Sequence, residues 1–471
     1  MLNKLKSNGA WLGLGFVSCL VWSRTAAADV PLIEKDGWVF SFDGRVNAFA
    51  SVAIGDDMPA PTPDPPGTTP PHIVMGANST NPGQGIGDVG WLSNAQADKD
   101  NKLFIMRVRS GMIGNVLGFG LTKKFNETTS IRGYISIWST IETFARDKWA
   151  PVVAEAREGY FTATGPWGSA TVGRTLGWLG RTSWEIDFLY GHGYGLGLPC
   201  TDALGPSCGH TGTGVLFPGY SAGLSYSTPS LGGLKVHAGI YDPITFSTAS
   251  SDWSRAPLVR PEGAVTFDTP LGDTGKLKIG VEGLWQPVSR IKTTTDPNTG
   301  ATSKSDETTS IWGVSGGARV EVGPVRLGAS AFHGRGIGLG YAGQRSVATE
   351  DVDSTQQTHE LRTFTGYYGQ AALHFGSVEL AAGYGQGIVD QLDVDKTNPK
   401  VSVFHTQSGI SGAVYYHVSD SVVLALDYFH YSASWYGAPI IDPMTMQPTG
   451  EKLVGEKQDL NFINAGVTYH W

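Results

Sequence analysis

Hydrophobic and polar residues alternate along many short segments of this chain. In the segment 40–48, one side carries Phe40, Phe42, Gly44, Val46 and Ala48, and the other carries Ser41, Asp43, Arg45 and Asn47. The same alternation recurs in the segments 131–142, 234–240, 276–286 and 312–321. A period of two places successive side chains on opposite faces of a β-sheet. The pattern predicts an all-β protein whose strands have one apolar and one polar face.

The connections between the predicted strands alternate between short and long. Short turns include Gly165-Pro166 and Gly323-Pro324. The long connections cover residues 53–102, 143–153, 175–217, 243–256, 288–308, 334–360, 387–402 and 432–457. About sixteen strands lie between these connections, and short turns at one end with long loops at the other are typical of an antiparallel up-and-down transmembrane β-barrel. Closure of the barrel satisfies every backbone hydrogen-bonding group in lipid.

Composition favours one large β-structure over several soluble domains. Only 16% of the residues are charged, against about 25% in a typical soluble protein, and 64 residues are glycine. The net charge of −8 is spread along the chain, so nucleic acid is not indicated as a partner.

The first 28 residues have the order of a secretory signal peptide. Lys4 and Lys6 precede an apolar run from Trp11 to Trp22, and alanines at 26–28 form a small-residue cleavage site. Cys19 leaves a lipoprotein anchor as a weaker alternative. We therefore expect export through the periplasm and a single mature domain over residues 29–471.

Two cysteines remain in the mature chain, Cys200 and Cys208. An even pair in an exported protein predicts a disulfide that closes a short loop. His192 and His210 lie nearby in the sequence, which leaves a metal site as the alternative, although the surrounding glycines and prolines are typical of a loop.

Three short motifs resemble the general bacterial porin family of Gram-negative outer membranes. They are the strand Arg107 to Gly111, the hairpin Arg157 to Arg174 and the closing strand Gly466 to Trp471, in which Val467, Tyr469 and Trp471 form an apolar face that ends on a terminal aromatic residue. The resemblance implies a sixteen-stranded barrel, usually a homotrimer, in outer-membrane lipid and lipopolysaccharide. It also implies a third external loop folded into the lumen as a constriction, and passive diffusion of small hydrophilic solutes and ions. The family's Pro-Glu-Phe-Gly-Gly loop motif is absent, which leaves the shape of the constriction open.

The charged residues suggest how such a pore selects solutes. A basic wall is predicted from the first strands, comprising Arg45, Arg107, Arg109, Arg132, Arg157 and Arg174, and two acids of the third loop, Glu185 and Asp187, are predicted to face it. Opposed charges across a constriction orient polar solutes. The alternative is that the arginines pair with Asp43 and Glu142 and brace the wall. Arg157 is ambiguous because its strand carries an acid on each face.

Other chemistry is weakly indicated. Two G-x-S-x-G matches, at 219–223 and 313–317, lie within alternating segments rather than at the strand-to-helix turn that a nucleophile elbow requires. Acidic groups at Asp351/Asp353 and Asp390/Asp393/Asp395 fit solvated loops better than calcium sites. We therefore predict no catalytic residues, metal or cofactor, with a substrate-specific channel as the first alternative and a barrel enzyme or adhesin as the second.

Overall fold

The computed structural model describes most of the chain outside the longest connections. The described residues are 30–56, 73–74, 98–100, 102–139, 141, 154–189, 209–243, 255–296, 298–338, 360–393, 395–396, 401–437, 439–442, 444–445, 448–452, 455 and 457–471. The predicted signal peptide and the predicted disulfide both lie outside these residues. Among the described residues, no helix is long and apolar enough to cross a membrane.

Regular structure in the described residues consists of strands and one short helix. The strands are β1 (Val30–Lys35), β2 (Trp38–Asp56), β3 (Ile73–Val74), β4 (Lys102–Arg109), β5 (Asn115–Lys124), β6 (Ser130–Ser139), β7 (Ala154–Gly165), β8 (Gly168–Leu176), β9 (Tyr220–Ser227), β10 (Leu234–Tyr241), β11 (Arg260–Leu271), β12 (Gly275–Thr295), β13 (Thr302–Val322), β14 (Val325–Arg335), β15 (Thr363–Phe375), β16 (Val378–Val389), β17 (Val401–Ser402), β18 (Phe404–His417), β19 (Val422–Trp435), β20 (Pro439–Ile441), β21 (Pro448–Lys452) and β22 (Lys457–His470). The helix is α1 (Arg181–Ile186).

The strands form a closed antiparallel barrel with sixteen strand positions, which confirms the predicted fold class. Strands of the barrel pair in chain order, and β22 closes the barrel by pairing with β2 from Arg45↔His470 to Gly55↔Leu460. Outside the barrel, β3 pairs with β17 and β20 pairs with β21. β4 and β5 lie in sequence along the same side of β2 and together fill one position. β1 pairs with residues 38–42 of β2, next to the residues that pair with β22, so β1 and β22 together fill one position of the sheet.

The break between β4 and β5 is stabilised by one side chain of β2. Between the pairs Arg45↔Val116 and Phe49↔Arg109, three residues of β2 (46–48) face six of the neighbouring position (110–115). The side chain of Asn47 donates to the carbonyl of Ile113 (2.7 Å) and accepts from the amide of Gly111 (2.7 Å). An inward-facing amide thus satisfies backbone groups that lose their ladder partners.

The connection predicted at 288–308 is wrong. β12 and β13 continue as a hairpin with unbroken register up to Thr295↔Thr302, so only residues 296–301 connect them. Ion pairs of Glu307 with Arg290 (2.5 Å) and Lys292 (3.0 Å) join the two strands in this extension. The segment is polar on both faces, so its sequence lacks the alternation that identifies the rest of the barrel.

Candidate functional site: the lumen and the third loop

The two faces of the barrel have the chemistry that the alternation predicts. On β12, Ile279, Val281 and Trp285 are exposed, whereas Lys278 and Glu282 are buried. The same contrast recurs on β14 and β22. Because lipid accepts apolar side chains and a lumen accepts polar ones, the exposed apolar face points outward and the polar face points into the lumen.

Four of the predicted arginines occupy inward-facing register positions. Arg45 pairs with His470, Arg107 with Ser51, Arg109 with Phe49 and Arg132 with Thr122. Arg45 and Arg109 are buried, Arg132 is half-buried, and Arg107 is exposed. The four guanidinium groups therefore share a face but have different access to solvent.

Arg109 braces the wall of the barrel. Its Nε donates to Ser51 Oγ (2.8 Å) and its Nη2 donates to Asn464 Oδ1 (3.0 Å). Asn464 in turn donates to Asp427 (2.6 Å). These contacts link β2, β4, β19 and β22 around the closure of the barrel.

A β-bulge explains the ambiguity of Arg157. Ser136 pairs with Glu158 and Ile137 with Ala156, so Arg157 is an extra residue in β7. The bulge shifts the alternation and brings both Glu155 and Glu158 to the inward face. Arg157 donates to Glu155 (2.8 Å), and its guanidinium lies 4.9 Å from the ring of the inward-facing Trp138.

Arg174 lies on the other face of the barrel. It shares the register of Val172 and pairs with Gly159 and Ala222, which are exposed outward-facing positions. Its guanidinium reaches Glu155 Oε1 at 3.2 Å near the long-loop end. The register therefore moves Arg174 out of the predicted basic wall.

The third loop, residues 177–219, contacts the inward face of the opposite wall at both of its described ends. Main-chain groups of the loop make the following hydrogen bonds: Leu179 N to Glu262 (3.2 Å), Thr182 N to Glu282 (3.1 Å), Phe188 N to Gln370 (3.1 Å) and Leu189 O from Tyr415 Oη (2.6 Å). These partners lie on β11, β12, β15 and β18. Residues 190–208 lie outside the described residues, so folding of the whole loop into the lumen stays a prediction.

The two predicted constriction acids hold this loop against the wall. Glu185 accepts from Arg181 Nε (2.7 Å) and pairs with Lys278 of β12. Burial by itself would raise the pKa of Glu185, but Lys278 and Arg181 outweigh it and lower that pKa to about 2. The carboxylate is therefore ionised, yet its charge is neutralised within the loop and the β12 wall rather than directed at the arginines of β2–β7.

Asp187 has a comparable anchoring position. Its Oδ2 lies 2.8 Å from His210 Nδ1, and its Oδ1 accepts from the amide of Leu189 (2.9 Å). His210 also packs 4.7 Å from the ring of Tyr368 on β15. The pair joins the two described ends of the loop. The metal site considered with the cysteines stays a prediction, because Cys200, Cys208 and His192 lie outside the described residues.

Glycines of the wall create the space that the loop occupies. A Cβ atom on Gly280 would meet Thr182 Oγ1 at 2.2 Å, one on Gly317 would meet Ile186 at 2.6 Å, and one on Gly385 would meet the carbonyl of Thr213 at 2.1 Å. Sequence reasoning missed these residues. The available signal was glycine at inward-facing positions inside strands, where it commonly marks a close approach of another segment.

Neither serine motif has the geometry of a nucleophile elbow. Ser221 lies within β9, and its hydroxyl accepts from Arg260 (3.0 Å). Ser315 lies within β13. In the acidic loop group, the exposed Asp393 pairs with Lys396 (2.7 Å), as a solvated loop charge does, whereas Asp395 is buried and pairs with Arg362 (2.5 Å). Asp351 and Asp353 lie outside the described residues.

Comparisons with known proteins agree with this architecture. A comparison with curated protein sequences finds no match. Among solved structures, the outer membrane channel DcaP of Acinetobacter baumannii is similar with a TM-score of 0.58 at 14% identity, over 94% of this chain and 100% of that one. The anion-selective porin from Comamonas acidovorans is similar with a TM-score of 0.54 at 11% identity, over 92% and 100%. Likeness at such identities shows the fold.

The family assignment comes from a sequence model. The model of Gram-negative porins matches residues 26–435, which is most of the chain. It spans β1 to β19 and the third loop, and the remaining residues include the strand that closes the barrel. The chain therefore belongs to the Gram-negative porin family.

Proposed function

We propose that this outer-membrane channel is a water-filled pore through which small hydrophilic solutes and ions diffuse passively. The observation that carries the proposal is the polar inward face of a closed barrel, part of which is open to solvent. Partly or fully exposed inward-facing side chains on β2–β9 include Asp43, Arg107, Arg132, Thr162, Thr171 and Ser225. Inward-facing side chains are buried on both walls, for example Arg45, Asn47 and Arg109 on β2–β4 and Lys278, Glu282 and Gln370 on β12–β15. The solvent path would run along the first wall, while the third loop covers the second.

Arg107 is the strongest candidate for setting ion preference on this path. Its Nη1 donates to the carbonyl of Met106 (2.9 Å), and among the described residues it meets no carboxylate within ion-pairing distance. Asp43, which is half-buried on the same wall, accepts a hydrogen bond from Tyr134 (2.9 Å). A solvated guanidinium would attract anions and repel cations, so we propose a modest anion preference.

The assembly around the channel is proposed from the family resemblance. A homotrimer in outer-membrane lipid and lipopolysaccharide, export with removal of residues 1–28, and a Cys200–Cys208 disulfide in the oxidising periplasm are mutually consistent. Val467, Tyr469 and Trp471 would act as the strand signal for assembly. In the barrel, Trp471 exchanges backbone hydrogen bonds with Gly44 (3.1 and 3.2 Å).

Solute flux into liposomes tests the proposal. Purified protein in liposomes should admit neutral sugars at rates that rise linearly with sugar concentration and fall with sugar size. Saturation at low concentration for one solute class would instead indicate a substrate-specific channel. Absence of flux for every solute would contradict the proposal and would turn attention to an adhesive or enzymatic barrel, because the absence of catalytic activity remains a prediction.

A further inference from the structure

Two histidines and a glutamate meet on the inward face at the short-turn end of the barrel. His374 lies at the end of β15, Glu379 at the start of β16 and His417 at the end of β18. The register pairs His374 with Glu379, and the amide of His417 donates to the carbonyl of Ser377 (2.8 Å) in the turn between β15 and β16. Backbone pairing thus sets three side chains from neighbouring strands at the same height.

The ligating atoms of the three side chains converge. His374 Nδ1 lies 3.5 Å and His417 Nε2 lies 3.9 Å from Glu379 Oε2. All three atoms lie within 4.8 Å of one another. Ligands at about 2.0–2.2 Å from a tetrahedral zinc ion stand roughly 3.3 Å apart. Rotations that move the nitrogens of the half-buried imidazoles by up to about 1.5 Å would complete that geometry.

The carboxylate of Glu379 is held in place from its other side. Arg326 Nη1 donates to Oε1 (3.0 Å) and Oε2 (2.8 Å) of Glu379. Ligating carboxylates in metal sites are commonly oriented by such outer hydrogen bonds. Arg326 also places positive charge near the cluster, but Glu321 lies 3.9 Å from Arg326 and 2.6 Å from Arg319. The two arginines and two glutamates balance in charge, so the cluster can accept a cation.

We propose that His374, Glu379 and His417 bind a divalent transition-metal ion of the zinc, copper or nickel class at the periplasmic mouth of the channel. Imidazole nitrogen is a ligand that these ions prefer, whereas magnesium and calcium prefer all-oxygen sites. The Nε2 atom of His417 is buried and makes no hydrogen bond among the described residues. Three protein ligands leave a coordination position for water or a solute of the lumen. The bound ion would add positive charge to the mouth of the pore.

Titration of the untagged, full-length protein with zinc chloride in a calorimeter tests the site. We expect saturable binding that a large excess of magnesium does not displace. His374→Ala and His417→Ala should each weaken it on the order of tenfold or more, since even the loss of an outer partner costs about that much. His430→Ala is the matched control, because His430 Nε2 lies 3.8 Å from the carboxylate of Asp459 in a pair that includes no second histidine among the described residues.

The alternative is that the two histidines only pair with Glu379 and bind no metal. In that case wild type would bind no zinc, or a variant with both His374→Ala and His417→Ala would bind zinc as wild type does. Either result overturns the proposal. A loss of zinc affinity in His430→Ala equal to that in the two site variants would also overturn the proposal. Circular dichroism and metal-free conductance verify that each variant folds. If His417→Ala does not fold, His417→Gln, which retains a polar side chain, takes its place. Because metal binding is measured without solute flux, its failure is distinguishable from failure of the channel proposal.

Discussion

At the residue scale, two arginines on the same strand show how position in a barrel sets the role of a charge. Arg107 and Arg109 are both on the inward face of β4, as their spacing predicts. Arg109 is 0% exposed and bonds to Asn464, 355 residues away in sequence, whereas Arg107 is exposed. Alternation reveals which face a residue occupies, but it does not reveal what lies beside that residue on a distant strand.

The first prediction concerns the exposed arginine. Arg107→Gln should lower the ratio of chloride to potassium permeability, measured as a reversal potential across a salt gradient. A unit charge about 4 Å from a passing ion in water is worth about 1 kcal/mol, so each of the two permeabilities should change by up to about fivefold in opposite directions, and their ratio should fall. Arg255→Gln is the control, because Arg255 pairs with Asp306 on an exposed external segment (2.7 Å). An unchanged ratio in Arg107→Gln would remove Arg107 from the solvent path.

The second prediction concerns the ion pair that anchors the third loop. Glu185→Gln leaves Lys278 buried without its carboxylate, at a cost of roughly 3 kcal/mol. Amides 179–189 should then exchange hydrogen faster, while the barrel strands stay protected. Glu307→Gln, which breaks an ion pair of the external hairpin, should leave these amides unchanged. Exchange at wild-type rates in Glu185→Gln would show that this pair does not anchor the loop.

The same carboxylate sets a pH dependence with a defined sign. Its pKa is lowered from 4.5 to about 2, so its stabilising contribution is complete above pH 4.5 and is lost as the pH falls through about 2. The loop should therefore keep its protection from neutral pH down to about pH 4.5. Loss of protection at amides 179–189 between pH 7 and pH 5 would contradict this assignment.

At the element scale, the third loop and the wall fit because the wall lacks side chains where the loop crosses it. Gly280, Gly317 and Gly385 lie on β12, β13 and β16, and each would collide with the loop if it carried a Cβ atom. Close packing of this kind tolerates added methyl groups poorly. The glycine positions therefore determine where the loop can pack against the wall.

The third prediction follows from that fit. Gly385→Val should displace the segment around Thr213 or destabilise the protein by about 1–3 kcal/mol. Either effect should alter single-channel conductance or the midpoint of chemical unfolding. Gly369→Val is the matched control, because Gly369 lies on the outward face of β15 with open space where a side chain would be added. If Gly385→Val has the conductance and the unfolding midpoint of wild type, the loop does not pack against Gly385.

The elements differ in how far the sequence predicts them. Membrane-spanning strands are predictable because lipid on one side and water on the other impose alternation on every one of them. The hairpin extension at 288–308 was missed because most of its residues are polar, so it lacks that alternation. The bulge at Arg157 and the break at residues 110–114 were missed because each inserts residues that shift the period of two.

At the scale of the whole molecule, closure of the barrel depends on its two terminal positions. β2 and β22 pair over eleven register positions, from Arg45 to Gly55, and without this ladder both strands would expose unpaired backbone groups to lipid. The constriction is a different case. The residues at both described ends of the loop are fixed by side chains from β11 to β18, which sequence spacing alone could not bring together.

The fourth prediction tests the role of closure. Deletion of residues 463–471 should prevent folding into membranes, because eight of the eleven register pairs of the closing ladder are lost, and circular dichroism in liposomes should show little β-structure. Replacement of residues 296–301 by Asn-Gly should leave the barrel intact, since the hairpin register continues to Thr295↔Thr302. A folded barrel after the C-terminal deletion would contradict the observed closure.

Conductance across a planar lipid bilayer is the most direct test of the central claim that this protein is an open, water-filled channel. The purified protein should insert in discrete steps whose conductance rises in proportion to the conductivity of the salt solution. Steps that open and close in threes would support the proposed trimer. If the bilayer carries no current at any applied voltage, although insertion of folded protein is verified, the protein is not an open channel.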